Sequence, residues 1–108
     1  MATTVTIDPV VKRYRAALDD MYGARLERVV LFGSRARGDA GPDSDYDIAV
    51  FLHAISDRFT EMNRLADLST EILAEMGKFV HAMPYEAGAY NDERMPLMYE
   101  IRADGIVI

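Results

Sequence analysis

The apolar positions of this chain fall into two rhythms, and their alternation predicts its elements. Val10, Tyr14, Ala17, Leu18, Met21 and Tyr22 recur at helical spacing. Asp8 and Pro9 open that helix: an aspartate caps free N–H groups, and proline at the first position has none to leave unpaired. Gly23 stops it. Leu26–Phe32 is apolar and β-branched enough for a buried strand, and residues 45–52 read as the next. Between them residues 38–44, with Gly41-Pro42-Asp43, form a turn-rich loop. Ser56 caps a second long helix, with Asp57 near its positive end. Phe59, Met62, Leu65, Ala66, Ile72, Leu73 and Met76 make its apolar stripe, and Gly77 ends it. Residues 79–85 predict a third strand, Pro96 starts a short helix to about residue 102, and Ile106-Val107-Ile108 closes as an edge strand. This order predicts an α/β (α+β) architecture, a small mixed β-sheet with helices packed on it.

With no repeat, low-complexity tract or long linker, the 108 residues read as one domain spanning 1–108. Half the residues are hydrophobic and 28% are charged, which excludes global disorder. Cysteine is absent and there are two histidines, so disulfides, thiolate zinc and cysteine nucleophiles are excluded. The longest apolar run, residues 48–52, falls far short of the roughly 20 residues a membrane span needs. Residues 1–7 show neither a basic start nor a long apolar stretch, so no secretory signal is expected and a soluble cytoplasmic protein is the default. The net charge of −6 argues against a nucleic-acid-coating surface. That average hides an asymmetry. Residues 25–37 carry four arginines against one glutamate, whereas residues 39–57 carry five aspartates and no Lys or Arg. A basic segment running into an acidic one hints at a site handling both anions and cations.

The chemistry concentrates in Gly33-Ser34-Arg35-Ala36-Arg37-Gly38 and Ser44-Asp45-Tyr46-Asp47. Gly33 directly follows an apolar strand, and a residue without Cβ lets backbone approach a ligand closely. If the chain turns helical at Ser34, the free N–H groups of that turn and the Ser34 hydroxyl form a phosphate seat. Arg35 and Arg37 either add charge-assisted phosphate contacts or pair with Asp39, Asp43 or Asp45 to hold the loop. Asp45 and Asp47, two apart on a strand, project from one face, and Ile48, Val50 and Leu52 occupy the other. Two such carboxylates repel unless neutralised. Mg²⁺ does this well, being a hard cation that favours carboxylate oxygens and shares its shell with phosphates. Phosphate seat and carboxylate pair together are the apparatus of phosphoryl or nucleotidyl transfer.

Gly33-Ser34, ten residues, then Asp45-Tyr46-Asp47 resembles the GSX10DXD signature of the minimal nucleotidyltransferases, the smallest members of the DNA polymerase β-like superfamily. The resemblance spans nearly the whole chain and implies a polymerase β-like nucleotidyltransferase fold. It also implies that Gly33 and Ser34 hold the triphosphate of ATP while Asp45 and Asp47 bind Mg²⁺ and activate the attacking hydroxyl. Members of that family often serve as antitoxins beside a HEPN-domain ribonuclease toxin, and some transfer AMP from ATP to a toxin tyrosine. A hetero-oligomer with a HEPN toxin is therefore the expected assembly.

One departure stands out. Many polymerase β-like enzymes have a third carboxylate on the strand after the long helix, and register puts His81 there. A neutral imidazole replaces oxygen poorly at Mg²⁺. Two readings stay open: two carboxylates suffice for one metal, with ATP phosphates and water completing the shell, or the chain neutralises a partner by binding alone. Transfer to a small molecule, with a substrate site supplied by a partner, is a third. A half-buried strand histidine is the expected role of His81, surface charge that of Arg25 and Arg28, and packing that of Tyr46. Met95-Pro96-Leu97-Met98 belongs either to the core or to a partner surface.

Overall fold

The computed structural model describes residues 8–108; residues 1–7, where the sequence shows no secretory signal, lie outside the described residues. Helix α1 (Pro9–Tyr22) leads through a 3-10 turn into strand β1 (Leu26–Phe32), then the short helix α2 (Ser34–Arg37) and strand β2 (Tyr46–Leu52). Helix α3 (Arg58–Met76), strand β3 (Val80–Glu86), a second 3-10 turn (Ala87–Asn91), helix α4 (Pro96–Asp104) and strand β4 (Ile106–Val107) complete the order. The strands form one mixed sheet in the order β3-β2-β1-β4. β1 runs antiparallel to both β2 and β4, whereas β2 and β3 are parallel and joined across α3.

Both faces of the sheet are covered. Val29, Leu31, Ile48, Val50 and Leu52 pack against α1 and α3 through Tyr14, Leu18, Leu65, Leu68 and Ile72. On the opposite face Val30, Ala49 and Phe51 pack against Met98 and Ile101 of α4, with Tyr85 and Tyr90 at the margin. Two-sided burial is why residues 48–52 read as an unbroken apolar run rather than an alternation. Pro84 is tolerated in β3 because that strand lies at the sheet edge, where a missing N–H costs no ladder bond.

Asp8 caps α1, its carboxylate accepting from the Val10 and Val11 amides at 2.8 and 3.3 Å. Several details depart from the sequence expectation. α3 is capped by Asp57, not Ser56: Asp57 is the last extended residue, and its carboxylate accepts from the Phe59 amide at 3.0 Å and the Thr60 hydroxyl at 2.9 Å. The stripe of α3 is narrower than the pattern implies. Phe59 and Leu73 are 70% and 45% exposed, and the inner face is carried by Leu65, Leu68, Ser69 and Ile72 together with Glu61. A helix lying on one sheet face buries only one side, so apolar residues beyond that arc stay wet. β2 starts at Tyr46, which leaves Asp45 just outside the ladder. Met98 is fully buried and Met95 packs beside it, so that segment serves the core, with Leu97 at its surface. Among the described residues, no helix is long and apolar enough to cross a membrane.

Candidate active site

The site is built where β1 ends against the start of β2. In the antiparallel register Phe32 lies opposite Asp47, so the residue that follows Phe32 turns away over that carboxylate. This residue is Gly33, at φ 74° and ψ −157°, a conformation that side chains of L-residues rarely adopt. A Cβ there would stand 2.5 Å from Asp47 Oδ2 and 3.3 Å from Cγ. Glycine is therefore required twice, by its backbone angle and by the carboxylate that fills the space a side chain would take.

After Gly33 the chain turns at once into α2. The Ala36 and Arg37 amides close onto the Gly33 carbonyl at 3.1 and 3.0 Å, and Gly38 and Asp39 close onto the Ser34 carbonyl. The Ser34 and Arg35 amides have no partner among the described residues, as the first N–H groups of a helical turn must. These amides and the Ser34 hydroxyl are the donors the sequence expectation assigns to phosphate.

Asp47 is where the other groups converge. Its side chain is about one-third exposed, and burial raises its pKa above the usual carboxylate value. His81 and Arg37 pull it down, while the negative charge of Asp45 pushes it up. All three thus lie close enough to bias its proton. Asp45 itself is exposed at the mouth of the site. β3 lies parallel to β2 with His81 opposite Asp47, and Nδ1 stands 3.7 Å from Asp47 Oδ1. The imidazole is 59% exposed rather than half-buried, because β3 is an edge strand and nothing covers that end of it.

The two arginines of the turn part company. Arg37 is exposed on the site side, paired with Asp39 at 3.3 Å, and it borders a cleft with Phe32, Gly33, Glu100 and Asp104. Arg35 faces the other way. Its Nε and Nη2 donate to the Ser44 carbonyl at 3.1 and 2.8 Å, and its guanidinium stacks over the Tyr46 ring at 4.2 Å. The loop-holding alternative thus describes Arg35, but through carbonyl oxygens instead of the carboxylates of Asp39, Asp43 or Asp45. Arg25 and Arg28 are not free surface charges either. Arg25 pairs with Glu61 at 2.7 Å, and Arg28 lies over the Tyr90 ring at 3.9 Å.

Tyr46 is buried, as its position between the aspartates and on the opposite face requires, and its hydroxyl donates to Asp8 Oδ2 at 2.7 Å. Lys78, unremarked in the sequence, donates to the Pro42 carbonyl at 2.6 Å. No spacing rule announces such a bond, since its partner is backbone 36 residues away. Glu100 and Asp104 of α4 are likewise absent from the motif but form the far wall of the Gly33 cleft.

The donor set fits a hard divalent cation. A half-buried carboxylate is held against a second negative charge, with oxygen as the ligand atom of both. Among the described residues no group of three His, Cys, Asp or Glu side chains is arranged to hold a metal.

A mixed sheet with a glycine-led helical turn seated on the Asp47 carboxylate, and with Asp45 leading into β2, points to a nucleotidyl-transferring class of protein. A family model described as a nucleotidyltransferase domain matches residues 11–98, and the chain belongs to that family. MJ0604 of Methanocaldococcus jannaschii, named as a candidate protein adenylyltransferase, is 30% identical over 84 residues, 78% of either chain. A solved structure of a candidate nucleotidyltransferase from Sulfolobus solfataricus superposes with a TM-score of 0.64 at 23% identity, covering 91% of this chain and 75% of that one. A toxin–antitoxin structure with AMP-PNP gives a TM-score of 0.63 at 19% identity, covering 89% of this chain and 70% of that one. These structures share the fold.

Proposed function

We propose that this nucleotidyltransferase is the antitoxin of a HEPN-type toxin–antitoxin pair and moves AMP from ATP to a tyrosine of the toxin. The observation that carries the reading is the seating of Gly33 directly on Asp47, which brings the α2 turn and that carboxylate into one site. The name of MJ0604 and the toxin–antitoxin neighbour support the acceptor and the biological role.

In this reading the Ser34 and Arg35 amides and the Ser34 hydroxyl hold phosphate oxygens, and Arg37 adds charge from the exposed side. Asp45 and Asp47 would hold Mg²⁺, which supplies charge neutralisation at the phosphates and lowers the pKa of an attacking hydroxyl. The tyrosine oxygen forms a bond to the α-phosphorus, the bond from that phosphorus to the α–β bridging oxygen breaks, and diphosphate leaves. The tyrosine proton passes to a carboxylate and then to solvent. The modified tyrosine carries new bulk and negative charge where the toxin must meet RNA, so blocking follows from sterics and repulsion.

Labelled ATP, Mg²⁺, the protein and a purified HEPN partner should yield a labelled toxin tyrosine. Asp47→Asn should lose at least about a hundredfold in rate, as removal of a transition-state charge contact does. No label with the unsubstituted protein, or equal label with Asp47→Asn, removes the catalytic claim. The exposed His81 at the register of a third carboxylate favours a second reading, in which the chain silences its partner by occupying it. Full toxin neutralisation by an Asp45→Asn, Asp47→Asn double variant would select that one.

A further inference from the structure

Resting on the reading of Asp45 and Asp47 as metal ligands, we propose that the Arg35 side chain positions that carboxylate pair and is not a phosphate ligand. Asp45 is the ligand with least support. It lies outside β2, the first ladder bond being the Tyr46 amide to the Phe79 carbonyl at 3.0 Å. It also ends a loop that carries Asp39 and Asp43, and it repels Asp47. Left to itself it would swing outward.

Arg35 brackets it. Two nitrogens converge on the Ser44 carbonyl, and the planar Ser44–Asp45 peptide transmits that hold to the Asp45 backbone. The same guanidinium reaches the Pro42 carbonyl at 3.4 Å and lies over the ring of Tyr46, the residue on the other side of Asp45. Tyr46 is fixed in turn by Asp8, which also caps α1. Lys78 grips the Pro42 carbonyl from the β3 side. The strut thus runs from the α1 N-terminus through Tyr46 and Arg35 to the peptide that bears Asp45. Lysine is a poor substitute, because its ammonium lacks the rigid planar fork that sets two donors on the carbonyl while the same group lies over the ring.

The test separates metal from phosphate. Mn²⁺ binding without nucleotide and ATP binding in EDTA are measured by calorimetry for the unsubstituted protein, Arg35→Ala, Arg35→Lys and Arg37→Ala. Arg35→Ala should weaken Mn²⁺ about tenfold to a hundredfold, as loss of a ligand-orienting partner does, and leave metal-free ATP binding within about twofold. Arg35→Lys should restore little of the Mn²⁺ affinity, and it carries the test if Arg35→Ala does not fold. Arg37→Ala should show the reverse, weakened ATP and preserved Mn²⁺. Amide exchange at Ser44, whose N–H is bonded to the Gly41 carbonyl at 3.2 Å, should quicken in Arg35→Ala without any ligand.

Unchanged Mn²⁺ affinity in Arg35→Ala overturns the proposal, and so does a loss of metal-free ATP binding equal to that of Arg37→Ala. Failure of the unsubstituted protein to bind Mn²⁺ overturns the metal reading itself, which is a different outcome from a defect confined to Arg35.

Discussion

At Gly33 one missing methyl group decides whether the site can exist. The residue has positive φ, and the space its Cβ would fill belongs to Asp47 Oδ2. Gly33→Ala should cost about 1–3 kcal/mol in backbone strain and displace the carboxylate, so urea unfolding should show lowered stability and Mn²⁺ affinity should fall with it. Asp47 carries the opposite bargain. Burial and the charge of Asp45 hold its folded pKa above the unfolded value, so the folded state binds more protons and loses stability as pH rises through that window. Asp47→Asn should therefore raise the melting temperature at neutral pH while removing metal binding and transfer. A lower melting temperature for that variant at pH 7 would contradict the assignment of a destabilised, function-bearing carboxylate.

Among the elements, α3 holds the clearest case of a buried charge that serves structure. Glu61 is 4% exposed, accepting from Arg25 at 2.7 Å and from the Tyr22 hydroxyl at 3.1 Å, with Arg64 at 3.4 Å. Burial alone would raise its pKa, but these bonds and charges outweigh it and hold the carboxyl below its ordinary 4.5. Its stabilisation is full above that value and is lost as pH falls through the folded range. Glu61→Ala should cost about 2–3 kcal/mol at pH 7, and Glu61→Gln should flatten the acid limb of a stability-against-pH curve below about 4.5. Helical spacing conceals this residue, because a glutamate between Phe59 and Met62 looks like the wet side. The partners that make its burial tolerable come from α1 and the turn after it. The same reason explains Asp57 replacing Ser56 as the cap: both residue types cap well, and which one is last in extended conformation depends on where the chain leaves β2.

For the whole molecule, the two covered sheet faces leave the corner where β1, α2, β2 and β3 meet as the place of the proposed site. A ligand that binds there only in the folded state stabilises the fold by mass action, about 2.7 kcal/mol at a hundredfold excess over its dissociation constant. Mg²⁺ with ATP should accordingly raise the melting temperature by several degrees, and neither should do so fully alone. In the Asp45→Asn, Asp47→Asn double variant the added effect of Mg²⁺ should vanish. An equal shift in that variant would place the nucleotide somewhere other than this corner.

Composition, periodicity and spacing by themselves determined the order of elements, the unbroken apolar run of β2, and the expectation that the Gly33 turn meets the strand bearing Asp47. These are local properties, set by alternation, capping chemistry and residues a short loop apart. The family resemblance put His81 at the position of a third carboxylate, and the structure sets it opposite Asp47. Only the tertiary structure decided which way Arg35 turned, that Glu61 lies inside, that Phe59 lies outside, and that the far wall of the Gly33 cleft is made by Glu100 and Asp104. Each of these depends on contacts with residues distant along the chain or on the side from which a neighbour packs. No pattern within one segment carries that information.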